Sequence, residues 1–230
     1  MRERHVTAAL VTGLFVALSS ASPAVRAAAD AAKPTGTVEG TVSVLKDDAP
    51  KADRAGVVVY LEGAPGPLPA GQSRAIRQRD LTFTPGVMVV TTGTTVEFPN
   101  EDKVFHNVFS VSKAARFDLG LYKSGTSKSV TLKNPGVVDV YCNIHPQMQA
   151  RIKVLDTGFY AVTGADGSFR IKDVPTGTYP VVAWHAGGDE RRGEVKVDAG
   201  GVSTLSLSVV EGRPPSRHPR KDGTPYGRYK

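Results

Sequence analysis

The sequence predicts an all-β protein built as two β-sandwiches, and three observations carry that prediction. No stretch beyond the N-terminal segment sustains helical periodicity. Short runs rich in β-branched residues recur instead, set apart by Gly, Pro, Asp and Asn. Asp166-Gly167 is a hairpin signal, because Gly accepts the positive φ that tight turns need. In chain order the runs begin with Val38 to Leu45 and Val57 to Leu61. Val87 to Thr91, Thr94 to Phe98, Ser129 to Leu132 and Val137 to Tyr141 follow. The last are Arg151 to Leu155, Phe169 to Ile171, Tyr179 to Trp184, Val195 to Val197 and Ser203 to Val209. Regular spacing of short strands with turn signals between them is the pattern of sandwiches and barrels.

The ends of the chain read differently from its middle. Arg2 and Arg4 precede an apolar stretch, Val6 to Ala21, and small residues follow with cleavage sites after Ala27 or Ala29. That is a secretory signal over residues 1–27, too short and too broken for a membrane span. The expected product is soluble and exported, most simply to a periplasm. The stretch Gly63-Ala64-Pro65-Gly66-Pro67-Leu68-Pro69-Ala70-Gly71 is a linker by composition. Residues 212–230, with Arg213-Pro214-Pro215-Ser216-Arg217-His218-Pro219-Arg220-Lys221, read as a disordered basic tail in which His218 is solvated. The chain carries a formal charge of +7. Removal of Arg2, Glu3, Arg4 and Arg26 leaves 26 basic and 21 acidic side chains, and the tail alone holds six basic and one acidic. The folded body is therefore nearly neutral. The basic balance is no argument for nucleic acid, and the aromatic signatures of RNA-binding modules are absent.

One cysteine, Cys142, excludes an intramolecular disulfide. A lone thiol in an oxidising compartment is a buried bystander, an intermolecular partner or a metal ligand. Its setting, Tyr141-Cys142-Asn143-Ile144-His145-Pro146-Gln147-Met148, favours the ligand, with a further imidazole upstream at His106. Thiolate, two imidazoles and a thioether are the donors of a mononuclear electron-transfer copper site, in which Met is the weak axial ligand. Zinc competes, but structural zinc sites more often use a second Cys or a carboxylate than a Met. A dinuclear copper centre needs a second Cys, and an oxygen-reducing copper cluster needs paired His-x-His motifs; the chain has neither.

The stretch from about Gln72 to Asp156 resembles the cupredoxins of the plastocyanin and amicyanin type. The resemblance rests on Val96-Glu97-Phe98-Pro99-Asn100, on His106-Asn107-Val108, and on the segment Tyr141 to Met148. It implies a Greek-key copper domain over residues 72–156. It implies one type 1 copper held by His106, Cys142, His145 and Met148. Asn107, Asn100 and Pro146 would surround the ligands, with Asn107 tying the two ligand loops together. The ring edge of His145 would face solvent as the port for electrons. Residues Thr163 to Tyr179 look like the second half of a carboxypeptidase-regulatory-like domain, a small transthyretin-like sandwich. Its first half is similar to Gly40-Thr41-Val42 and Ala55 to Leu61. The resemblance therefore implies nesting, with residues 36–64 and 158–211 forming one sandwich interrupted by the copper domain. The combination is similar to exported proteins labelled "methylamine utilization protein", which implies an electron-acceptor role.

Other notable residues read as structural. His185 reads as a satisfied core or surface residue, and Trp184 and Met88 as core. The acidic residues show no spacing for a catalytic pair, and no Ser stands in a nucleophile elbow. The expected function is single-electron transport without enzyme activity, between a dehydrogenase or a cytochrome c and a further acceptor, by a monomer. Two alternatives stay open: copper delivery, and a scaffold or adhesion module with incidental copper. The tail is expected to govern association with acidic partners or anionic membranes and to leave copper untouched.

Overall fold

The computed structural model describes residues 33–69, 71–188, 190–212, 218 and 220–225. The expected export signal lies outside them. Among the described residues every regular element is a β-strand. The first are β1 (Thr35–Lys46), β2 (Ala49–Pro50) and β3 (Val58–Leu61). Next come β4 (Ser73–Ala75), β5 (Arg77–Arg79), β6 (Thr82–Thr84), β7 (Val87–Thr91) and β8 (Thr95–Pro99). Then follow β9 (His106–Val111), β10 (Arg116–Tyr122), β11 (Ser127–Thr131), β12 (Gly136–Cys142) and β13 (Gln149–Leu155). The chain closes with β14 (Tyr160–Val162), β15 (Ser168–Pro175), β16 (Gly177–Trp184), β17 (Glu190–Val197) and β18 (Val202–Val210).

Four principal sheets stack with three apolar layers between them. The sheet β15-β1-β18 faces the sheet β14-β3-β16-β17 across Val38, Val42, Val59, Leu61, Phe169, Ile171 and Val181. The sheet β10-β9-β12-β13-β7 faces β11-β8-β4 across Val96, Phe98, Val138, Val140 and Ile152. A smaller layer of Val58, Tyr60, Leu155, Val182 and Trp184 joins the two pairs. Strand periodicity explains the division. Side chains alternate between faces with period two, so Val59 and Leu61 enter one layer while Val58 and Tyr60 enter the other. A strand covered on both faces needs a continuous apolar run, and β3 is buried throughout.

Chain order and spatial order differ. β1 pairs antiparallel with β15 and parallel with β18, and β3 pairs antiparallel with β14 and with β16. Both sets of partners lie beyond the whole stretch from β4 to β13. Where the two sandwiches meet, Lys153 of β13 is buried although charged. Its ammonium pairs with Glu190 at 2.5 Å and lies 5.0 Å and 5.4 Å from the ring centroids of Tyr60 and Trp184. Trp184 is core, as its sequence context suggests.

The described part of the tail corrects one expectation. His218 is not solvated; it is 3 % exposed. Its ring stacks on Tyr141 at 4.2 Å between centroids and 19° between planes, and meets Phe109 edge-on at 6.0 Å. The composition of the tail allows no core of its own, yet a planar ring can use a core already built. Lys221 is also engaged, with its ammonium 2.5 Å from Asp118.

Candidate metal centre

Three strand ends deliver the donors. His106 opens β9, Cys142 closes β12, and His145 and Met148 lie in the short connection from β12 to β13. β12 pairs with β9 through Tyr141 opposite Phe109 and Cys142 opposite Val108, which brings the two donor-bearing strands side by side. The connection is held by its own backbone: Met148 N–H donates to the His145 carbonyl at 3.0 Å, and Cys142 N–H to the Met148 carbonyl at 3.2 Å. The loop is thereby closed on itself, with Pro146 half-buried at its turn.

The donor atoms converge. His106 Nδ1 and His145 Nδ1 are 3.1 Å apart, and Cys142 Sγ lies 3.7 Å and 3.6 Å from them. The circumradius of that triangle puts a central point about 2.0 Å from each atom, close to the ~2.0–2.3 Å that imidazole and thiolate adopt towards a first-row ion such as zinc. Among the described residues this is the cluster of His, Cys, Asp and Glu that could hold a metal. His106, Cys142 and Met148 are fully buried and His145 is half-buried. Met148 packs in the apolar core that contains Cys142.

The electrostatics suit a deprotonated thiol. Burial pushes the Cys142 thiol up, but hydrogen bonds from His106 and from the N–H groups of Asn107, Ile144 and His145 outweigh it and hold the group below its ordinary value. For His106, burial works against the charged ring, while Cys142 and Asp102 favour it and prevail, so its pKa is raised. Burial, then the neighbouring His106, push His145 down. Neutral imidazole and thiolate are the forms that bind metal.

The residues expected around the ligands take distinct parts. Asn107 does link the two ligand segments, but through its main chain: its carbonyl accepts from Asn143 N–H at 3.3 Å, and its N–H donates to the Cys142 sulfur. Its side-chain amide turns away and donates to Asp118 at 2.7 Å. Asn100 braces the loop before His106. Its amide donates to the carbonyls of Val104 and Tyr122, and its oxygen accepts from Asp102 N–H at 3.0 Å.

Sequence reasoning missed Asp102 and Asp118. Asp102 lies 2.8 Å from His106 Nε2, so in the neutral ring it favours the proton on Nε2, which makes Nδ1 available to a metal. Burial raises the Asp102 carboxyl, while His106 and the N–H groups of Leu81 and Asp80 lower it and prevail. An acid four residues before a histidine outside a helix looks like any surface charge in one dimension. Only the loop geometry set by Asn100 shows its role.

Comparison with known proteins agrees with this geometry. Residues 72–155 match the family model of copper binding proteins, plastocyanin/azurin family. Residues 136–210 match the model of the carboxypeptidase regulatory-like domain, overlapping the first match through β12 and β13. The chain is similar to solved amicyanin structures. A reduced amicyanin carrying a single tryptophan-to-tyrosine substitution is 20% identical over 42% of this chain and 98% of that one, with a TM-score of 0.35. An oxidised amicyanin carrying a single proline-to-alanine substitution gives the same values. A purple cupredoxin from Nitrosopumilus maritimus is 22% identical over 36% of this chain and 99% of that one, with a TM-score of 0.32. No curated protein matches the chain. The family match over 72–155 and the soft donor set agree on copper as the metal.

Proposed function

We propose that this protein is an exported type 1 copper protein that carries single electrons between redox partners, with one copper held by His106, Cys142, His145 and Met148. The observation that carries the reading is the triangle of two imidazole nitrogens and one cysteine sulfur inside a β-sandwich, with a buried methionine in the same loop. Copper bound there would supply a one-electron couple and an intense thiolate charge-transfer colour.

The chain's own residues supply the rest. β9 and β12 hold His106 and Cys142 in one sheet, so neither donor can move far without breaking strand pairing. Asp102 orients His106 from behind. The N–H groups around Cys142 stabilise its thiolate in a buried site. A donor set fixed in this way changes little between oxidation states, which favours electron transfer. His145, the least buried donor, is the natural port. Val104 and Phe105, exposed directly before His106, offer apolar surface near the same end. Burial of the other donors speaks against copper delivery, which needs a site a partner can reach.

The domain division belongs to the same proposal: a copper sandwich over 72–156 set into a transthyretin-like sandwich of 36–64 and 158–211. The pairing of β1 and β3 with β14, β15, β16 and β18 supports it. Export is supported by the sequence of residues 1–27, and among the described residues no helix is long and apolar enough to cross a membrane. On this reading the protein is a monomer without catalysis of its own, and its partners are a dehydrogenase or a cytochrome c and a further acceptor.

The test is colour and voltammetry. Protein loaded with Cu(II) should be strongly coloured and reversibly reducible, and Cys142→Ser should abolish the colour. Met148→Leu should raise the reduction potential, because losing a thioether donor would destabilise the oxidised state more than the reduced one. A colourless Cu(II) protein would sink the electron-carrier reading.

A further inference from the structure

The outer face of the copper sandwich carries a row of side chains that the copper reading leaves unused. In the sheet β10-β9-β12, Asp118 stands opposite Phe109, and Phe109 opposite Tyr141. Residues directly opposite each other share a face. Cys142, next to Tyr141, points to the other face and into the core. The described tail lies along this row. His218 covers its aromatic end, against Tyr141 and Phe109. Lys221 covers its acidic end: its ammonium pairs with Asp118, and its backbone N–H donates to the Asn143 side-chain oxygen at 3.0 Å.

Asp118 and Asn143 are not ordinary surface groups. Asp118 Oδ1 accepts from the Asn107 amide at 2.7 Å and from Gly120 N–H at 2.9 Å. Asn143 follows Cys142 directly, and its N–H bonds to the Asn107 carbonyl. Asn107 in turn follows His106 and gives its N–H to the Cys142 sulfur. Lys221 thus touches both ends of a hydrogen-bonded chain that closes on the thiolate.

The segment is shaped for this. Arg220 N–H donates to the Thr224 carbonyl, and Gly223 N–H to the Arg220 carbonyl, each at 2.9 Å. Asp222 Oδ1 accepts from both N–H and hydroxyl of Thr224. A tight turn therefore presents Lys221. The start of the tail is fixed too: Gly212 packs backbone to backbone on Gly187, where a Cβ would lie 1.6 Å from the Gly187 carbonyl oxygen. Gly212 and Tyr141 line one cavity.

We infer that the C-terminal segment is a positioning strap for the copper loop, in which His218 anchors the chain on Tyr141 and Lys221 clamps Asp118 and Asn143 and so sets the Asn107–Cys142 contact. The inference rests on the copper reading above, and it reverses the expectation that the tail leaves the metal site untouched. The Lys221–Asp118 pair is half-exposed on both sides, with side chains 47 % and 39 % accessible, so it adds little to global stability. The strap acts on the geometry and charge beside the loop. It is also sensitive to salt.

The experiment uses the full chain, a truncation after Gly212, Lys221→Glu and Lys221→Arg. In the apoproteins, amide hydrogen exchange at Asn107 and Asn143 should quicken at least several-fold on truncation and in Lys221→Glu. It should stay near the full-chain rate in Lys221→Arg. In the copper-loaded proteins, Lys221→Glu should lower the reduction potential, since added negative charge favours the oxidised site, and Lys221→Arg should keep it near the parent value. Unchanged exchange on truncation overturns the inference. So does quickened exchange with an unchanged potential, because the strap then touches the loop without positioning the ligands. A chain that takes up no copper sinks the copper reading, while the exchange measurement still decides whether the strap holds the loop.

Discussion

In the sandwich built from β1, β3 and β14 to β18, the core layer is Val, Leu, Ile, Phe, Tyr and Ala. In the sandwich from β4 to β13, the buried set also includes Gln78, Asn100, His106, Asn107, Ser110 and Lys153. Among the described residues, this first sandwich has Thr163, whose hydroxyl is fully engaged with Val57 N–H and the Arg54 carbonyl, and at its entry Thr157, whose hydroxyl accepts from Phe159 N–H. Burying a polar group costs free energy unless it is hydrogen-bonded. One sandwich avoids that cost and the other accepts it, and the one that accepts it holds the donors. The apolar sandwich is a platform; the polar one holds the candidate metal site. Substitutions in the two should therefore separate stability from copper binding.

The largest effect should come from the platform. Phe169 is buried in its core beside Val38, Leu61 and Val181. Phe169→Ala should cost ~3–5 kcal/mol of unfolding free energy, as for other buried aromatic truncations. Urea unfolding would measure it. The fraction that remains folded should keep the parent's colour and potential. A changed spectrum in that fraction would mean that the platform reaches the metal.

The converse change is Asp102→Asn. It keeps size and one acceptor oxygen, but it turns the other oxygen into an amide donor and removes the charge that faces His106 Nε2. Copper affinity should fall about tenfold to a hundredfold, the usual cost of losing such a partner, and the potential should rise as negative charge is lost. Competition against a chelator measures the first and voltammetry the second. If affinity and potential hold, Asp102 serves only the N–H groups of Asp80 and Leu81, which it also accepts.

These two sites also mark what could be read in one dimension. The strand runs that hold the platform were legible because alternation and β-branching follow directly from burial on a pleat. Cys142, His145 and Met148 were legible because they fall within a few residues of each other and their types are rare. Residues 106–111 and 116–122 were not among the predicted runs. The first reads as a continuous stretch without alternation, and the second is broken at a bulge between Asp118 and Leu121. Asp102, Asp118 and the tail contacts were illegible for a different reason. Each is a common surface residue whose role depends on a partner far along the chain, as Lys221 depends on Asn143 and Asp118.

The smallest effect should come from the seam between the two halves. Glu190 pairs with buried Lys153 and accepts from the Tyr60 hydroxyl at 3.3 Å. Burial raises its carboxyl, but the hydrogen bond and charge of Lys153, then Arg192 and Tyr60, bring it below the usual 4.5. A carboxyl depressed in the folded state contributes stability that is fully present above its unfolded value. That contribution is lost as pH falls through the lower folded value, so the seam should weaken below pH 4.5. Glu190 is partly open to water, and screening keeps the change modest. Urea midpoints of the parent and of Glu190→Gln should differ at pH 7 and converge as pH falls below that point. The reduction potential at pH 7 should be the same in both, because Glu190 belongs to the platform. A gap in stability that persists into acid would mean the seam is held by packing of Tyr60 and Trp184 on the Lys153 stem, and a shifted potential would mean the two sandwiches are not the separate platform and site that their interiors indicate.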